Sequence, residues 1–187
     1  MRLLVTGGAG YIGSHVTRQL VEAGHDVTVY DNLGTGFRWA TLGAPLIEAD
    51  LADTARLDAT LAAGRFDAVL HFAAHIVVPE SVADPLKYYA NNTQGTLGLL
   101  QALTRHGVRR LVFSSTAAVY GNPEHIPVSE TAPLAPINPY GSSKLMSEGM
   151  IRDLAATGAL DHVTLRYFNV AGADPGGRLG QATPAAT

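Results

Sequence analysis

Three side chains late in the sequence have the types and spacing that proton transfer requires. Tyr140 and Lys144 form the pattern Y-x-x-x-K, and residues four apart share one face of a helix. We expect the lysine charge to favour the phenolate and lower the tyrosine pKa, so that Tyr140 can act as a base. Thr116 belongs to a hydroxyl-rich segment and is expected to bond the substrate oxygen and help position Tyr140. Taken alone, Y-x-x-x-K also fits an ordinary helix surface, and Thr116 a strand-end cap.

A glycine motif near the N-terminus predicts a phosphate-binding loop. Gly7, Gly10 and Gly13 give G-x-x-G-x-x-G, between an apolar run at residues 2–6 and a helical pattern from residue 11. Glycines in this arrangement allow a tight turn, close approach of a phosphate and close packing of the helix on the strand. The helix N-terminus adds free N–H groups and a positive dipole end. A structural turn without a ligand is the alternative for the glycines alone.

Asp31 supplies the acidic partner that such a loop needs. It follows an apolar run at residues 26–30, where a carboxylate can accept hydrogen bonds from ribose hydroxyls and would repel a 2′-phosphate. Strand, glycine loop, helix and acid together predict a dinucleotide site that takes NAD. Arg38 lies nearby and leaves NADP as the alternative.

The elements that must position these residues alternate along the chain. Apolar runs predict strands at residues 2–6, 26–30, 45–48, 68–72, 110–114 and 162–167. Helical periodicity predicts helices at residues 11–23, 53–63, 85–106 and 140–157. This order is typical of an α/β fold with a Rossmann-like, doubly wound parallel sheet. Each motif would then lie at the carboxyl end of a strand or on the helix that follows.

Composition restricts the function further. The 187 residues, 47% of them hydrophobic, suffice for one sizeable core. The net charge of -3 gives no general attraction to nucleic acid or to an anionic membrane. The chain has no cysteine, which weakly favours a cytoplasmic location, and no apolar stretch has the length of a membrane span. The seven histidines are scattered and interpreted as structural, so no metal site is predicted.

Six segments together resemble one enzyme family. They are GGAGYIGSH, DNL, HFAA, SSTAAVYG, NPYGSSKLMSE and RYFNVAGA, beginning at residues 7, 31, 71, 114, 138 and 166. In this order they resemble the UDP-glucose 4-epimerases of the extended short-chain dehydrogenase/reductase superfamily. The resemblance implies a UDP-sugar substrate, bound NAD, and inversion at carbon 4 through a 4-keto sugar. Another NAD-dependent UDP-sugar epimerase, a decarboxylase and a non-catalytic NAD-binding module are the alternatives. Ala117 and Ala118 stand where related dehydratases carry Asp-Glu, which disfavours dehydration.

The resemblance also implies a role for individual residues. The catalytic residues are Thr116, Tyr140 and Lys144. The cofactor-binding residues are Gly7, Gly10, Tyr11, Ile12, Gly13, Asp31, Asn32, Leu33, Gly34, Thr35, Gly36, Asp50, Leu51, Phe72, Ala73, Ala74, Asn91, Tyr140, Lys144 and Phe168. The substrate-binding residues are Thr116, Tyr140 and Asn169. Asn91, Asn92 and Phe72 could equally be packing or capping residues, and Ile76 departs from the family pattern, which often has lysine there.

Family members are much longer than this chain. The resemblance therefore implies an N-terminal portion, with an NAD-binding domain at residues 1–172 and the start of a truncated substrate domain at residues 173–187. Such a portion is expected to bind NAD but to turn over little or no substrate. The resemblance also implies a possible homodimer, formed through the helices predicted at residues 85–106 and 140–157.

Overall fold

A parallel six-stranded sheet forms the centre of the computed structural model, which describes residues 1–182. Its strands are β1 (Arg2–Thr6), β2 (Asp26–Asp31), β3 (Leu46–Glu48), β4 (Ala68–His71), β5 (Arg110–Ser114) and β6 (Asp161–Leu165). Their order is β3-β2-β1-β4-β5-β6, and in β1 Val5 is in register with Val29 on one side and Leu70 on the other. The strand order reverses between β1 and β4, where sheets of this kind bind ligands at the carboxyl ends.

Helices cover both faces of the sheet. They are α1 (Tyr11–Glu22), α2 (Thr54–Gly64), α3 (Val78–Ala83), α4 (Pro85–Tyr88), α5 (Gly95–Arg105) and α6 (Pro139–Ala156). Successive strand residues point to opposite faces, so Leu4 packs with α2, α5 and α6, whereas Leu3 and Val5 pack with Leu20 of α1. The predicted α/β, doubly wound parallel sheet is confirmed.

The helical stretch predicted at residues 85–106 is present, but its middle is π-helical. Residues 85–106 do not form a single regular helix, because a π-helical segment, Tyr89–Gln94, separates α4 from α5. The side chain of Asn92 in this segment is buried and bonds neighbouring elements. Apolar periodicity alone carries no signal for such an insertion, because it reports only which face is buried.

Other departures are small. Helix α3 and two 3₁₀ helices, Arg38–Thr41 and Ala117–Tyr120, were not predicted. Strands β4 and β6 end earlier than predicted, so Phe72 and Tyr167 belong to the loops that follow. No helix among residues 1–182 combines the length and apolar character needed to cross a membrane. The domain boundary after residue 172 stays a prediction, and residues 183–187 lie outside the described part of the chain.

A buried histidine joins the central strands to the π-helical segment. The Thr96 hydroxyl donates to the Asn92 carbonyl at 2.6 Å, so its oxygen accepts from His71 Nε2 at 3.1 Å. Nε2 therefore carries the proton, and His71 Nδ1 accepts from the Thr6 hydroxyl at 2.7 Å. Burial, and then the charge of Lys144, lower the pKa of His71 from 6.5 to about 3. The neutral imidazole is thus a structural element of the core.

This pKa predicts a specific pH dependence of stability. The unfolded chain protonates His71 below pH 6.5, whereas the folded chain does so only near pH 3. The stabilisation that neutral His71 gives the folded state is therefore complete above pH 6.5 and is lost as the pH falls. The unfolding free energy should therefore decline more steeply in the wild type than in His71→Gln, by up to about 1.4 kcal/mol per pH unit. Urea titrations at several pH values between these limits measure both slopes. Equal slopes would contradict the assignment of a neutral, buried imidazole.

Candidate functional site

The glycine loop packs against the backbone at the switch point of the sheet. Gly7 has φ +72°, and a Cβ there would lie 2.4 Å from the backbone nitrogen of Ala73. A Cβ at Gly13 would lie 2.1 Å from the Gly7 carbonyl oxygen. At Gly10, by contrast, the nearest atom would be the same oxygen at 3.3 Å. Packing therefore explains Gly7 and Gly13, whereas at Gly10 the bare backbone leaves space above the loop.

The start of α1 offers an anion site. Gly10 is its N-cap in an extended conformation, and no side chain caps the helix. The N–H groups of Tyr11, Ile12 and Gly13 have no partner within the helix by geometry, and the dipole makes this end positive. Gly10 and Tyr11 line a crevice whose other wall includes Thr35. Helix ends of this kind bind phosphate groups.

Asp31 holds the two loops of this crevice together. Its carboxylate accepts the N–H of Ala9 at 3.0 Å and that of Leu33 at 2.8 Å. Burial raises its pKa, although these two hydrogen bonds oppose the rise. A carboxylate can accept about four hydrogen bonds, so lone pairs remain for ribose hydroxyls. Gly36 belongs to the same contact, because a Cβ there would lie 2.8 Å from the carbonyl carbon of Ala9.

Further predicted cofactor residues gather beside Asp31. The amide of Asn32 donates to the Asp50 carboxylate at 2.7 Å and accepts the N–H of Gly34 at 2.9 Å. The Tyr30 hydroxyl donates to the Asp50 carbonyl at 3.0 Å. Leu51 follows directly and is half-buried. The ends of β2 and β3 thus bring together residues that lie far apart in sequence.

The loop after β4 is held by Asn92, the neighbour of the predicted cofactor residue Asn91. Asn92 accepts the His75 N–H at 2.8 Å and donates to the His75 carbonyl at 3.0 Å. Asn91 itself donates to the Asn92 side chain at 2.9 Å. Phe72, Ala73 and Ala74 are half-buried in the first part of this loop. Sequence reasoning weighed Asn92 only as a packing or capping residue, because nothing in the local pattern indicated a long-range contact.

The predicted proton-transfer residues are positioned by the first turn of α6. Asn138 caps the helix by accepting the Gly141 N–H at 2.8 Å, and Pro139 begins it. A Cβ at Gly141 would lie 2.8 Å from the Ala118 carbonyl oxygen, so glycine allows α6 to approach the 3₁₀ helix after β5. Thr116 is the N-cap of that 3₁₀ helix. The structure therefore brings the Thr116 segment beside the start of α6.

The electrostatics of Tyr140 differ from the prediction. Burial raises its pKa, and the Thr116 side chain opposes the rise, so the predicted lowering by lysine is wrong in direction. The reason lies in Lys144, which is only 2% exposed and donates to the Ser114 carbonyl at 2.8 Å. Burial lowers the pKa of Lys144 to about 7, against the opposing charge of Glu148. Near neutral pH its positive charge is therefore only partial.

A second polar network fixes the other side of α6. Glu148 accepts a hydrogen bond from Ser115 and pairs with Arg166, whose guanidinium also donates to the Tyr120 hydroxyl at 2.9 Å. The hydroxyls of Ser114 and Tyr167 bond each other. Sequence reasoning missed these roles, although every one of these residues lies in or beside the quoted segments.

The predicted residues after β6 are open to solvent. Phe168 is 70% exposed and lines a surface cavity with Tyr120 and Arg166, and Asn169 is exposed as well. Their predicted contacts with cofactor and substrate stay predictions. Within residues 1–182, no group of three or more His, Cys, Asp or Glu side chains could hold a metal ion.

Comparison with known proteins agrees with this geometry. A UDP-glucose 4-epimerase of Azospirillum brasilense is 58% identical over all of this chain and 54% of its own length. A putative UDP-arabinose 4-epimerase of Arabidopsis thaliana is 47% identical over 96% of this chain and 44% of its own. The crystal structure of a Brucella ovis UDP-glucose 4-epimerase in complex with NAD aligns with a TM-score of 0.95, at 46% identity, over 97% of this chain and 56% of that chain.

The chain thus spans about half the length of the curated relatives it matches. Residues 3–186 match the NAD dependent epimerase/dehydratase family. This match covers the glycine loop, Asp31, and the segments that carry Thr116, Tyr140 and Lys144. The chain belongs to the NAD dependent epimerase/dehydratase family.

Proposed function

We propose that this chain binds NAD and carries the proton-transfer residues of a UDP-glucose 4-epimerase. The observation that supports this most is the convergence of two sites at one edge of the sheet. The glycine loop follows β1, and Thr116 follows β5 beside the helix that bears Tyr140 and Lys144. A non-catalytic dinucleotide-binding module would not need a buried lysine and a tyrosine one helical turn apart.

The residues of the glycine loop and the end of β2 fit a dinucleotide by their chemistry. Gly10 leaves room above the loop, and the first turn of α1 offers N–H groups to a pyrophosphate. Asp31 retains acceptor capacity for ribose hydroxyls. Arg38, the residue that left NADP open, is paired with Glu48, which favours NAD. When bound, NAD supplies the hydride acceptor and donor for carbon 4 of the sugar.

The protein's own residues handle the proton. Tyr140, as phenolate, takes the proton from the sugar 4-hydroxyl and returns it once the 4-keto sugar has presented its other face. Thr116 orients the sugar oxygen by a hydrogen bond. Lys144 stabilises the phenolate to the extent that it is protonated, and burial around all three keeps water from competing.

A second sugar is supported by one observation. The Arabidopsis relative named as a putative UDP-arabinose 4-epimerase is 47% identical to this chain. Hexose and pentose substrates both react at carbon 4, so the same tyrosine and threonine serve either. A UDP-pentose 4-epimerase is therefore the alternative function.

Assembly, location and domain division remain proposals. The homodimer through residues 85–106 and 140–157 is supported by exposed apolar side chains there, such as Leu86 and Met146. A cytoplasmic location rests on the absence of cysteine from the sequence. The division after residue 172 rests on the resemblance described above.

The charge state of Lys144 can be measured directly. The chain has two lysines, Lys87 and Lys144, so ¹³C-labelled lysine gives two resolvable Cε signals. One should titrate with a midpoint of about 7, because burial disfavours the ammonium, and this signal should disappear in Lys144→Met. If both signals titrate only near the ordinary lysine pKa of about 10.4, burial does not control this group.

Alanine substitutions at two glycines should have different effects on NAD affinity and on stability. In Gly10→Ala the backbone is already extended and the new Cβ has space, so stability should stay within about 1 kcal/mol while NAD affinity falls about tenfold or more. Gly13→Ala is the matched control, because its Cβ meets a carbonyl oxygen at 2.1 Å and should cost about 1–3 kcal/mol of stability. Titration calorimetry and urea unfolding measure both quantities. Unchanged NAD affinity in Gly10→Ala would contradict a pyrophosphate at this loop.

The proposed base is tested by Tyr140→Phe. This chain is substituted for the corresponding residues of the Azospirillum brasilense relative, and conversion of UDP-galactose to UDP-glucose is measured. The hybrid should be active, and Tyr140→Phe should lower kcat by about 10²–10⁴-fold, because general base catalysis is lost. The matched control is Tyr89→Phe on the π-helical segment. Its kcat should stay within twofold of that of the parent hybrid, a difference in activation free energy of about 0.4 kcal/mol.

Either of two results would overturn this assignment. One is a folded, NAD-loaded hybrid without activity towards UDP-galactose or a UDP-pentose. The other is full activity in the Tyr140→Phe hybrid.

A further inference from the structure

The segment at residues 172–182, called the strap below, folds back across the outer surface of α1. The Tyr11 hydroxyl donates to the Gly172 carbonyl at 2.6 Å. Two turns further along α1, Arg18 pairs with Asp174 at 2.8 Å. The side chain of Asp174 is only 1% exposed, although the strap lies at the surface. The strap is therefore attached to α1 at its first residue and through a buried charge.

Asp174 also closes the strap on itself. Its carboxylate accepts from the Arg178 side chain at 2.9 Å, and its N–H donates to the Leu179 carbonyl at 2.9 Å. Arg178 reaches Glu22 at the end of α1, at 3.1 Å. Leu179 is 3% exposed. One carboxylate thus shapes the strap and docks it. The hydrogen bond from Arg178, with the backbone N–H groups of Arg178 and Gly176, lowers the pKa of Asp174 to about 2.

The end of the strap reaches the narrow crevice beside the glycine loop. Gly180 and Ala182 line it opposite Gly10, Tyr11 and Thr35. The attachment at Tyr11 lies on the first residue of α1, whose free N–H groups face a phosphate in the proposed function. In the proposed function, a strap in this position would lie beside the pyrophosphate of the cofactor.

The junction between strap and α1 is polar and imperfectly satisfied. The buried atoms His15 Nε2, Arg18 Nε and Asp174 Oδ1 have no hydrogen-bond partner among the described residues, and Asp174 Oδ1 meets Arg18 only as an ion pair. Unsatisfied buried groups reduce the stability of the contact that buries them. A contact weakened in this way favours local opening of the strap while the sheet stays folded.

We propose that the strap retains NAD, and that Asp174 is the positioning residue that holds it over the pyrophosphate by its pairing with Arg18. This inference rests on the proposed NAD site and adds a determinant of cofactor release. Neither side chain needs to touch the cofactor, because both act through the placement of Gly180 and Ala182. Loss of the pairing should accelerate NAD release without slowing NAD binding.

The test uses the full chain loaded with NADH, whose release is followed by fluorescence after addition of excess NAD. Arg18→Gln and Asp174→Asn should each raise the dissociation rate about tenfold, because each removes the ion pair between α1 and the buried carboxylate of the strap. Arg152→Gln is the matched control, because Arg152 is exposed on α6 and pairs only with the exposed Asp153; its rate should equal that of the wild type. Asp174→Glu, which keeps the charge, should restore most of the slow release.

Limited trypsin digestion gives a second measurement that does not depend on the cofactor. Cleavage after Arg178 should be slow in the wild type and fast in Arg18→Gln, because the undocked strap is accessible. Faster cleavage together with unchanged NADH release would overturn the proposal, since the strap would then be free without affecting the cofactor. Unchanged cleavage would overturn the role of the ion pair. A folded wild-type chain that takes up no NADH would instead contradict the proposed function itself.

Discussion

The whole arrangement depends on one close approach, that of the glycine loop to the backbone after β4. With a Cβ at Gly7 only 2.4 Å from the Ala73 nitrogen, only glycine allows these two strand ends to meet at the switch point. Gly13 lets α1 start directly against that loop. Asp31 then links the loop to the end of β2 through two backbone N–H groups. The crevice is thus shaped by backbone contacts, and side chains contribute mainly by holding the loops in place.

Burial has a second consequence on the α6 side of the site. Lys144 lies in the core, where desolvation disfavours the ammonium, and its Nζ donates a hydrogen bond to the Ser114 carbonyl. The same desolvation raises the pKa of Tyr140. Burial thereby favours the neutral form of both groups. The polar contacts of Asn92, Glu148 and Arg166 keep α6 in place.

The sequence was a good guide where one physical signal determined the structure. Apolar runs predicted all six strands, and glycine and capping patterns located the start of α1 and of α6 closely. Prediction from the sequence failed where contacts between residues far apart in the chain determine the local structure or the pKa. The π-helical segment depends on Asn92, whose partners lie on α6 and in the loop after β4. The direction of the Tyr140 pKa shift failed for the same reason, because helical spacing shows that Lys144 is near but does not show how deeply it is buried.

The central claim is that residues 7–36 form an NAD site, and it is tested most directly by the nucleotide that the protein carries. The purified 187-residue chain would be incubated with equal concentrations of NAD and NADP, separated from free nucleotide, and denatured, and the released nucleotides would be quantified. The account predicts close to one NAD per chain and little NADP, because Asp31 favours ribose hydroxyls over a 2′-phosphate. A folded chain that releases neither nucleotide, or mainly NADP, would contradict it.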